Sequence, residues 1–414
     1  MLFRVAWKSL VNRRFTVLLT ALSIATSVLL LCGVDHIRIQ ARESFSKTIS
    51  GVDLIVGART GQINLLLYSV FHTGNATSNI SWSSYREIAG NRLVEWAIPV
   101  SLGDSHNGYR VMGTSNGFFS HYRYGEDRKL LFSQGRQFEQ LYDVVLGSEV
   151  ASKLGYSIGD RIVLSHGTGS VSFIQHDDNP FTVTGILSPT GTPVDQTVHT
   201  SIEGIEAIHA GWNGGNTRIG TAQETSQDLT PATLTAFLVR LKSRVTTFQV
   251  QRLINEYNGE PLLAILPGVA LTELWQMVGA VEKVLLLISG VVLITSLLGL
   301  TAMLLATLND RQREIAVLRA IGAHPLFIFL LIEIEVLIVS LFAIIAGLSM
   351  LWSGLILAQD TLTERFGLLL SPNIFTTNTA LYSSVMIIAA LLLGAIPAIS
   401  AYKNSLGNAL KMPS

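Results

Sequence analysis

Charge is scarce in this chain of 414 residues: 14% of positions are Asp, Glu, Lys or Arg, and 29 basic against 29 acidic residues leave no net charge. A balanced sum of that kind excludes the global basic field with which a protein gathers nucleic acid, so electrostatic meaning must come from where the charges sit. Cysteine is scarcer still. Cys32 stands alone, which excludes an intramolecular disulfide framework and any multi-cysteine zinc site. The dipeptide Gly-Lys never occurs, so the Walker phosphate-binding loop is absent and ATP is not bound by that device. No Ser/His/Asp or Cys/His motif of recognisable spacing supports hydrolytic catalysis, and no cofactor is expected.

What is abundant is apolar surface. Hydrophobic residues make up 49% of the chain and the mean hydropathy is +0.43, too apolar for an ordinary soluble domain. Four apolar runs reach the roughly 20 residues a membrane-spanning helix needs: Phe15 to Val34, Val284 to Leu308, Leu326 to Ala358 and Leu381 to Tyr402. The first run imitates a signal peptide behind Arg4, Lys8, Arg13 and Arg14, but its apolar core is too long and no small-x-small cleavage site follows. Leu31 before Cys32 argues against a lipoprotein signal.

Short cytoplasmic flanks carry the excess of Lys and Arg. Arg4, Lys8, Arg13 and Arg14 precede the first run, Arg311, Arg313 and Arg319 separate the second from the third, and Lys403 and Lys411 follow the fourth. Both termini are therefore expected in the cytoplasm. The predicted layout is an amphipathic interfacial helix at 1–14, spans at 15–35, 283–309, 326–358 and 381–402, an extracytoplasmic domain at 36–282, a cytoplasmic helix at 310–325, a short outer loop at 359–380 and a tail at 403–414. In the opening helix, Leu2, Phe3, Ala6, Trp7 and Leu10 form an apolar stripe.

The outer domain mixes strand-like runs at 52–57, 109–115, 160–167, 181–188 and 234–242 with helical periodicity at 147–156 and 245–259, which predicts an α+β class. Val245, Phe248, Leu253 and Ile254 are compatible with one apolar helix face, and Gly259 with its cap. The apolar stretch "INLLLYSVF" (63–71) is read as core, ahead of a protomer contact or a substrate path. Positions 209–231 are polar and glycine-rich and read as a loop or insertion. Two sets could offer metal ligands, His176 with Asp177 and Asp178, and Glu203, Glu206 and His209 at helical spacing; surface polarity is the stronger reading of both, and no metal is assigned.

"REIAVLRAIGAHP" (313–325) lies between the second and third spans. Asn309 and Asp310 suit an N-cap, Ile315, Leu318 and Ile321 recur at threes, Gly322 suits the C-terminal cap and Pro325 stops the helix. Two spans can be joined by a short polar turn without such a helix, and a segment that enforces topology through its arginines is the alternative reading of the same residues. This segment resembles the signature of the FtsX/MacB-type permease family of ABC transporters. The opening "FRVAWKSLVNRRFTVLLTALSI" and "DVVLGSEVASKLGYSIGDRIVL" (143–164) resemble that family too, as does the layout of one span, a large outer domain and three further spans.

The resemblance implies a four-helix membrane protein with an inserted α+β domain of the MacB periplasmic core type. It also implies a non-catalytic permease subunit, paired with a second permease in a bacterial inner membrane, on which a cytoplasmic ABC ATPase acts. Arg311, Arg313, Glu314, Leu318, Arg319 and Gly322 would then meet the ATPase, and a periplasmic adaptor or substrate protein and membrane lipids are the further partners expected. Movement of the outer domain would serve export or extraction of a peptide, lipophilic compound or lipoprotein. Alternative readings are a signalling subunit controlling a periplasmic enzyme, an ATPase-independent sensor or scaffold, and a membrane enzyme. Glu333 and Glu335 fall inside the third span, where carboxylates are costly. Two residues apart on a helix, they face different directions, and snorkelling or pairing with a neighbouring helix is the simpler use. Glu335 matches a glutamate that recurs in the family by its spacing from the motif.

Overall fold

Apolar windows long enough to cross a bilayer do not end helices, because helix propagation adds one hydrogen bond per residue whatever the side chain. The computed structural model, which describes residues 2–125, 127–166, 180–210, 229–310, 317, 320–366 and 371–407, accordingly shows helices longer than the apolar runs. The first runs Arg14–Thr48, the second Pro267–Asp310, the third Pro325–Phe366 and the fourth Thr377–Gly407. Within them, four segments meet the length and composition of membrane spans: Arg14–Glu43, Pro267–Leu308, Pro325–Gln359 and Thr377–Tyr402. The chain divides into two compact units, one formed by Met1–Ala41, Val278–Thr363 and Leu370–Ser414 and the other by Arg42–Met277 with Glu364–Leu369.

The spans pack around a core that includes Ile24, Val28, Leu297, Leu300, Val336, Val339, Ala343 and Met386. A separate opening helix, Leu2–Asn12, joins this unit through buried Ala6 and Leu10. The stripe read from the sequence is split. Ala6 and Leu10 turn inward, whereas Phe3 and Trp7 stay exposed and stack with ring centroids 6.5 Å apart.

The other unit is built on a sheet of eleven strands among the described residues. Its main path runs Leu262–Ile265, Leu54–Ala58, Ala236–Leu241, Val94–His106, Tyr109–Thr114, Thr197–Ser201, Asp143–Leu146, Phe181–Leu187 and Phe132–Gly135. Pairing is antiparallel except where Thr197–Ser201 meets Tyr109–Thr114 and where Phe181–Leu187 meets Asp143–Leu146. The predicted α+β class holds. In "LIVGA" (54–58) every residue is buried, as expected of a strand covered on both faces. Leu54 and Val56 enter one apolar cluster with Val250 and Ile254, while Ile55 enters another with Leu65, Leu66 and Phe118, the period-two alternation of a strand. "INLLLYSVF" does form core. It folds as the helix Gln62–Val70 with Leu65, Leu66, Tyr68 and Val70 buried, pressed so close that a Cβ at Gly57 would lie 2.5 Å from Leu65 Cδ1.

One predicted helix face is wrong. In Thr247–Asn255 the buried positions are Thr247, Val250 and Ile254, and Val250 and Ile254 share an apolar cluster with Leu262 and Ala264; Val245 (91%), Phe248 (72%) and Leu253 (43%) are exposed. The cap also comes earlier, at Glu256 rather than Gly259. Periodicity defined a helix but allowed two faces, and the neighbouring strand selected the smaller side chains. The stretch 160–167, expected as one strand, contains two short ones, Arg161–Ile162 and Ser165–His166, paired to different neighbours.

Candidate functional site

The membrane unit is held by polar and close-packed contacts at three levels, and together these form the candidate site. Ser23, Ser27 and Ser296 meet inside the spans: Ser296 Oγ is 2.9 Å from Ser23 Oγ and 2.8 Å from Ser27 Oγ. Hydroxyls in hydrocarbon must find partners because no water is available, and those on span one find theirs on span two. Glycine provides the second level. A Cβ at Gly347 of span three would lie 2.6 Å from the carbonyl oxygen of Ala25 and 2.7 Å from Val28 Cβ on span one, and a Cβ at Gly394 of span four 2.7 Å from Val336. Small residues of this kind let membrane helices approach at backbone distance.

The third level is charged. Arg38 Nε of the first helix is 2.9 Å from Glu282 Oε1 of the second, and Arg38 Nη1 is 3.5 Å from Asp35 Oδ1. Asn378 Nδ2 of the fourth helix donates to Asp35 Oδ2 at 3.0 Å. His36 Nε2 lies 2.9 Å from the Ser371 carbonyl oxygen, and the Ser371 amide donates to Gln40 Oε1 at 3.3 Å. Asp35 is buried, a position a carboxylate tolerates when paired and hydrogen-bonded. This clamp joins helices one, two and four. Sequence reasoning passed over it, since Asp35, Arg38 and Glu282 each look like ordinary charges flanking an apolar run.

Of the predicted coupling residues, Arg311, Arg313, Glu314, Leu318 and Arg319 lie outside the described residues. Gly322 is described, and its φ of +99° is the left-handed conformation that the cap reading required. Just before it, the Ile321 amide donates to the Val317 carbonyl at 3.1 Å, and both side chains are exposed. In span three, Glu335 is buried and Glu333 only partly so, in keeping with their different directions. Glu333 Oε1 is shielded from water without a hydrogen-bond partner among the described residues.

His176, Asp177 and Asp178 also lie outside the described residues. Glu203, Glu206 and His209 share the helix Ile202–Ala210, but His209 Nε2 turns to Asp104 Oδ1 at 3.4 Å, and among the described residues no group of three His, Cys, Asp or Glu is placed to hold a metal. The hydrogen bond to Asp104 raises the His209 pKa against the opposing effect of burial. Two further histidines sit in the outer unit. His72 Nδ1 is 2.8 Å from Thr197 Oγ1, and His199 is fully buried beside Phe118, with ring centroids 5.4 Å apart. Burial lowers the His72 pKa to about 4, with Arg110 adding to the effect. It lowers the His199 pKa to about 3, with His72 adding.

These contacts tie the four helices together, and in chain order the sheet unit falls between the first two. Comparison with known proteins agrees with that division. The family described as the MacB-like periplasmic core domain matches residues 15–257, and the family described as the FtsX-like permease C-terminal matches residues 286–406. Two solved structures are similar in part. The periplasmic region of MacB from Actinobacillus actinomycetemcomitans is 12% identical, with 55% of this chain and 94% of that chain covered at a TM-score of 0.33. The extracellular domain of the noncanonic ABC-type transporter YknZ from Gram-positive bacteria is 12% identical, with 52% and 99% covered at a TM-score of 0.30. No curated protein matches the chain by sequence.

Proposed function

The chain belongs to the FtsX/MacB-type permease family of ABC transporters, and from that premise we propose that it converts ATP hydrolysis on a separate cytoplasmic subunit into movement of its outer domain. It is a multi-pass membrane protein by its four long apolar helices. In the proposed arrangement it lies in a bacterial inner membrane with both termini in the cytoplasm, pairs with a second permease, and exports or extracts a peptide, lipophilic compound or lipoprotein. The energy source lies on a partner, since the chain has no Gly-Lys dipeptide and thus no Walker loop.

One observation carries the mechanical reading: helices one and two are tied twice, by Ser23 and Ser27 with Ser296 and by Arg38 with Glu282. The same two helices flank the outer domain in the chain. A displacement applied near Gly322 would therefore move both as a unit instead of being absorbed by sliding between them. Arg313, Glu314 and Arg319 would form the polar rim of the ATPase contact and Leu318 its apolar anchor, the make-up of a transient protein interface.

The test is purification of the intact complex in detergent, followed by ATP hydrolysis measured on it. A nucleotide-binding subunit should accompany the chain, and the double charge reversal Arg313→Glu with Glu314→Arg should reduce its retention and its stimulated hydrolysis together. A complex without any nucleotide-binding subunit overturns the transporter reading; full stimulation in the double variant overturns the assignment of those residues.

A further inference from the structure

The opening helix Leu2–Asn12 and the start of span one line a shallow, open groove of about 550 Å³ at Trp7, Lys8, Val11, Asn12 and Arg14. Its chemistry is divided. Lys8 and Arg14 bring two cations to its lining, Arg4 is exposed one turn before Lys8, and none of the three takes part in an ion pair among the described residues. Trp7 and Val11, one helical turn apart, supply its apolar lining, with Phe3 stacked on Trp7. All of these side chains are exposed although Ala6 and Leu10 of the same helix are buried, so the helix turns its aromatic and basic sides outward together. Phe15, Leu18, Leu19 and Leu22, which follow Arg14 in span one, are likewise exposed, and a membrane-spanning helix presents such side chains to hydrocarbon.

A soluble anion would use the cations and leave Trp7 and Val11 wet. A neutral lipid would use the apolar lining and leave two cations without a counter-charge. We propose that this groove is a binding site for one anionic phospholipid, with the headgroup phosphate between Lys8 and Arg14 and the glycerol and upper acyl chain against Trp7 and Val11. Indole rings favour the headgroup level, and each basic side chain near an anionic lipid surface contributes about fivefold in affinity. The site depends on the four-span assignment alone and not on ATPase coupling, so either can fail without the other.

The test places the full chain in bilayers of phosphatidylcholine containing graded amounts of brominated phosphatidylglycerol or brominated phosphatidylcholine. Fluorescence quenching of Trp7 is read as the difference between the parent protein and Trp7→Phe. Phosphatidylglycerol should bind about 25-fold more tightly than phosphatidylcholine, and Lys8→Gln and Arg14→Gln should each reduce that ratio by about fivefold. Excess inorganic phosphate should leave it unchanged. Equal affinity for the two lipids overturns the proposal, and displacement by inorganic phosphate overturns it in favour of a soluble anion. A variant that only loosens the helix alters quenching by both lipids and leaves their ratio at the parental value, which also counts against the site.

Discussion

Replacing Arg38 with Gln removes the cation from the charged clamp while keeping most of the side chain's length. Two contacts go: the 2.9 Å pair with Glu282 and the 3.5 Å approach to Asp35. Unit charges at those separations attract by about 5–6 kcal/mol at an effective dielectric of about 20. The Arg38 side chain is 37% exposed and Glu282 22%, so solvent screening brings their own pair down to about 1 kcal/mol. Asp35, at 5% side-chain exposure, is screened less and keeps its bond from Asn378; losing the cation there adds a comparable amount. Arg38→Gln is therefore expected to cost about 2 kcal/mol, and Glu282→Gln about 1 kcal/mol. The double variant should fall short of their sum by about 1 kcal/mol, because the shared contact is lost only once. Equilibrium unfolding of the full chain in mixed micelles of increasing sodium dodecyl sulfate, followed by tryptophan fluorescence, measures all four corners of the cycle. Additivity within about 0.3 kcal/mol would show that the two side chains do not meet in the folded protein, and the clamp, with the rigid pairing of helices one and two, would go with it.

The same unfolding measurement checks the helix crossing at Gly347, where Gly347→Leu must displace the Ala25 carbonyl and Val28 and should cost at least about 2 kcal/mol. Gly354, with open space at its Cβ position, should tolerate Ala with no loss. Ser296→Val removes the partner of two hydroxyls and should cost about 1 kcal/mol, at the scale of interhelical hydrogen bonds in membranes. Acid should weaken the outer unit specifically. His72 and His199 are held below the ordinary histidine value, at about 4 and about 3, so the unfolded chain binds more protons than the folded one below about pH 6.5. Their contribution is thus fully present above that pH and is lost on acidification, by up to about 1.4 kcal/mol per pH unit for each site. Hydrogen exchange of the strand Thr197–Ser201 should accelerate on moving the full chain from pH 7 to pH 5 after correction for intrinsic rates, and His199→Phe should flatten that dependence.

Spans are easy to read because a bilayer imposes a length and a composition on one continuous segment. Phe15 to Val34 satisfies both without reference to anything else in the chain. The helix ends could not be read in this way, since Asp35 to Thr48 is polar and helical at once. Burial inside the outer domain was legible where an apolar run was longer than one helix face, as in Leu65, Leu66 and Tyr68. It was ambiguous at Thr247–Asn255, where the choice between Val250 and Phe248 was made by the strand Leu262–Ile265. The clamp draws on positions from 35 to 378, and no local pattern links residues that far apart. The segment 313–325 is the reverse case: its motif is compact, and Gly322 adopts the backbone conformation its place as a helix cap requires.

Helix geometry turns these separate contacts into a lever. From Arg14 to Asp35 the first helix advances about 32 Å, one hydrocarbon thickness, so the clamp lies about a membrane's width from the basic cluster that precedes the span. On helix one, Ser23 and Arg38 are 15 residues apart; on helix two, Ser296 and Glu282 are 14 apart. At 1.5 Å per residue both intervals are about 22 Å, the match required of two antiparallel rods tied at both levels. A single tie would leave a hinge and let the rods scissor; two ties at that spacing resist it. Among the four long helices the one interior proline is Pro397, in the fourth, so no proline kink interrupts the first three. Weakening one tie should therefore change how far motion is transmitted more than whether the helices associate. Arg38→Gln with Ser296→Val in one chain should loosen the pair by more than the two single changes together, since only the double variant frees both levels. Spin labels placed on helices one and two at both levels would show each single variant broadened at the level whose tie is lost and the double variant broadened at both. If the single and double variants broaden equally, the two helices are not acting as one rod.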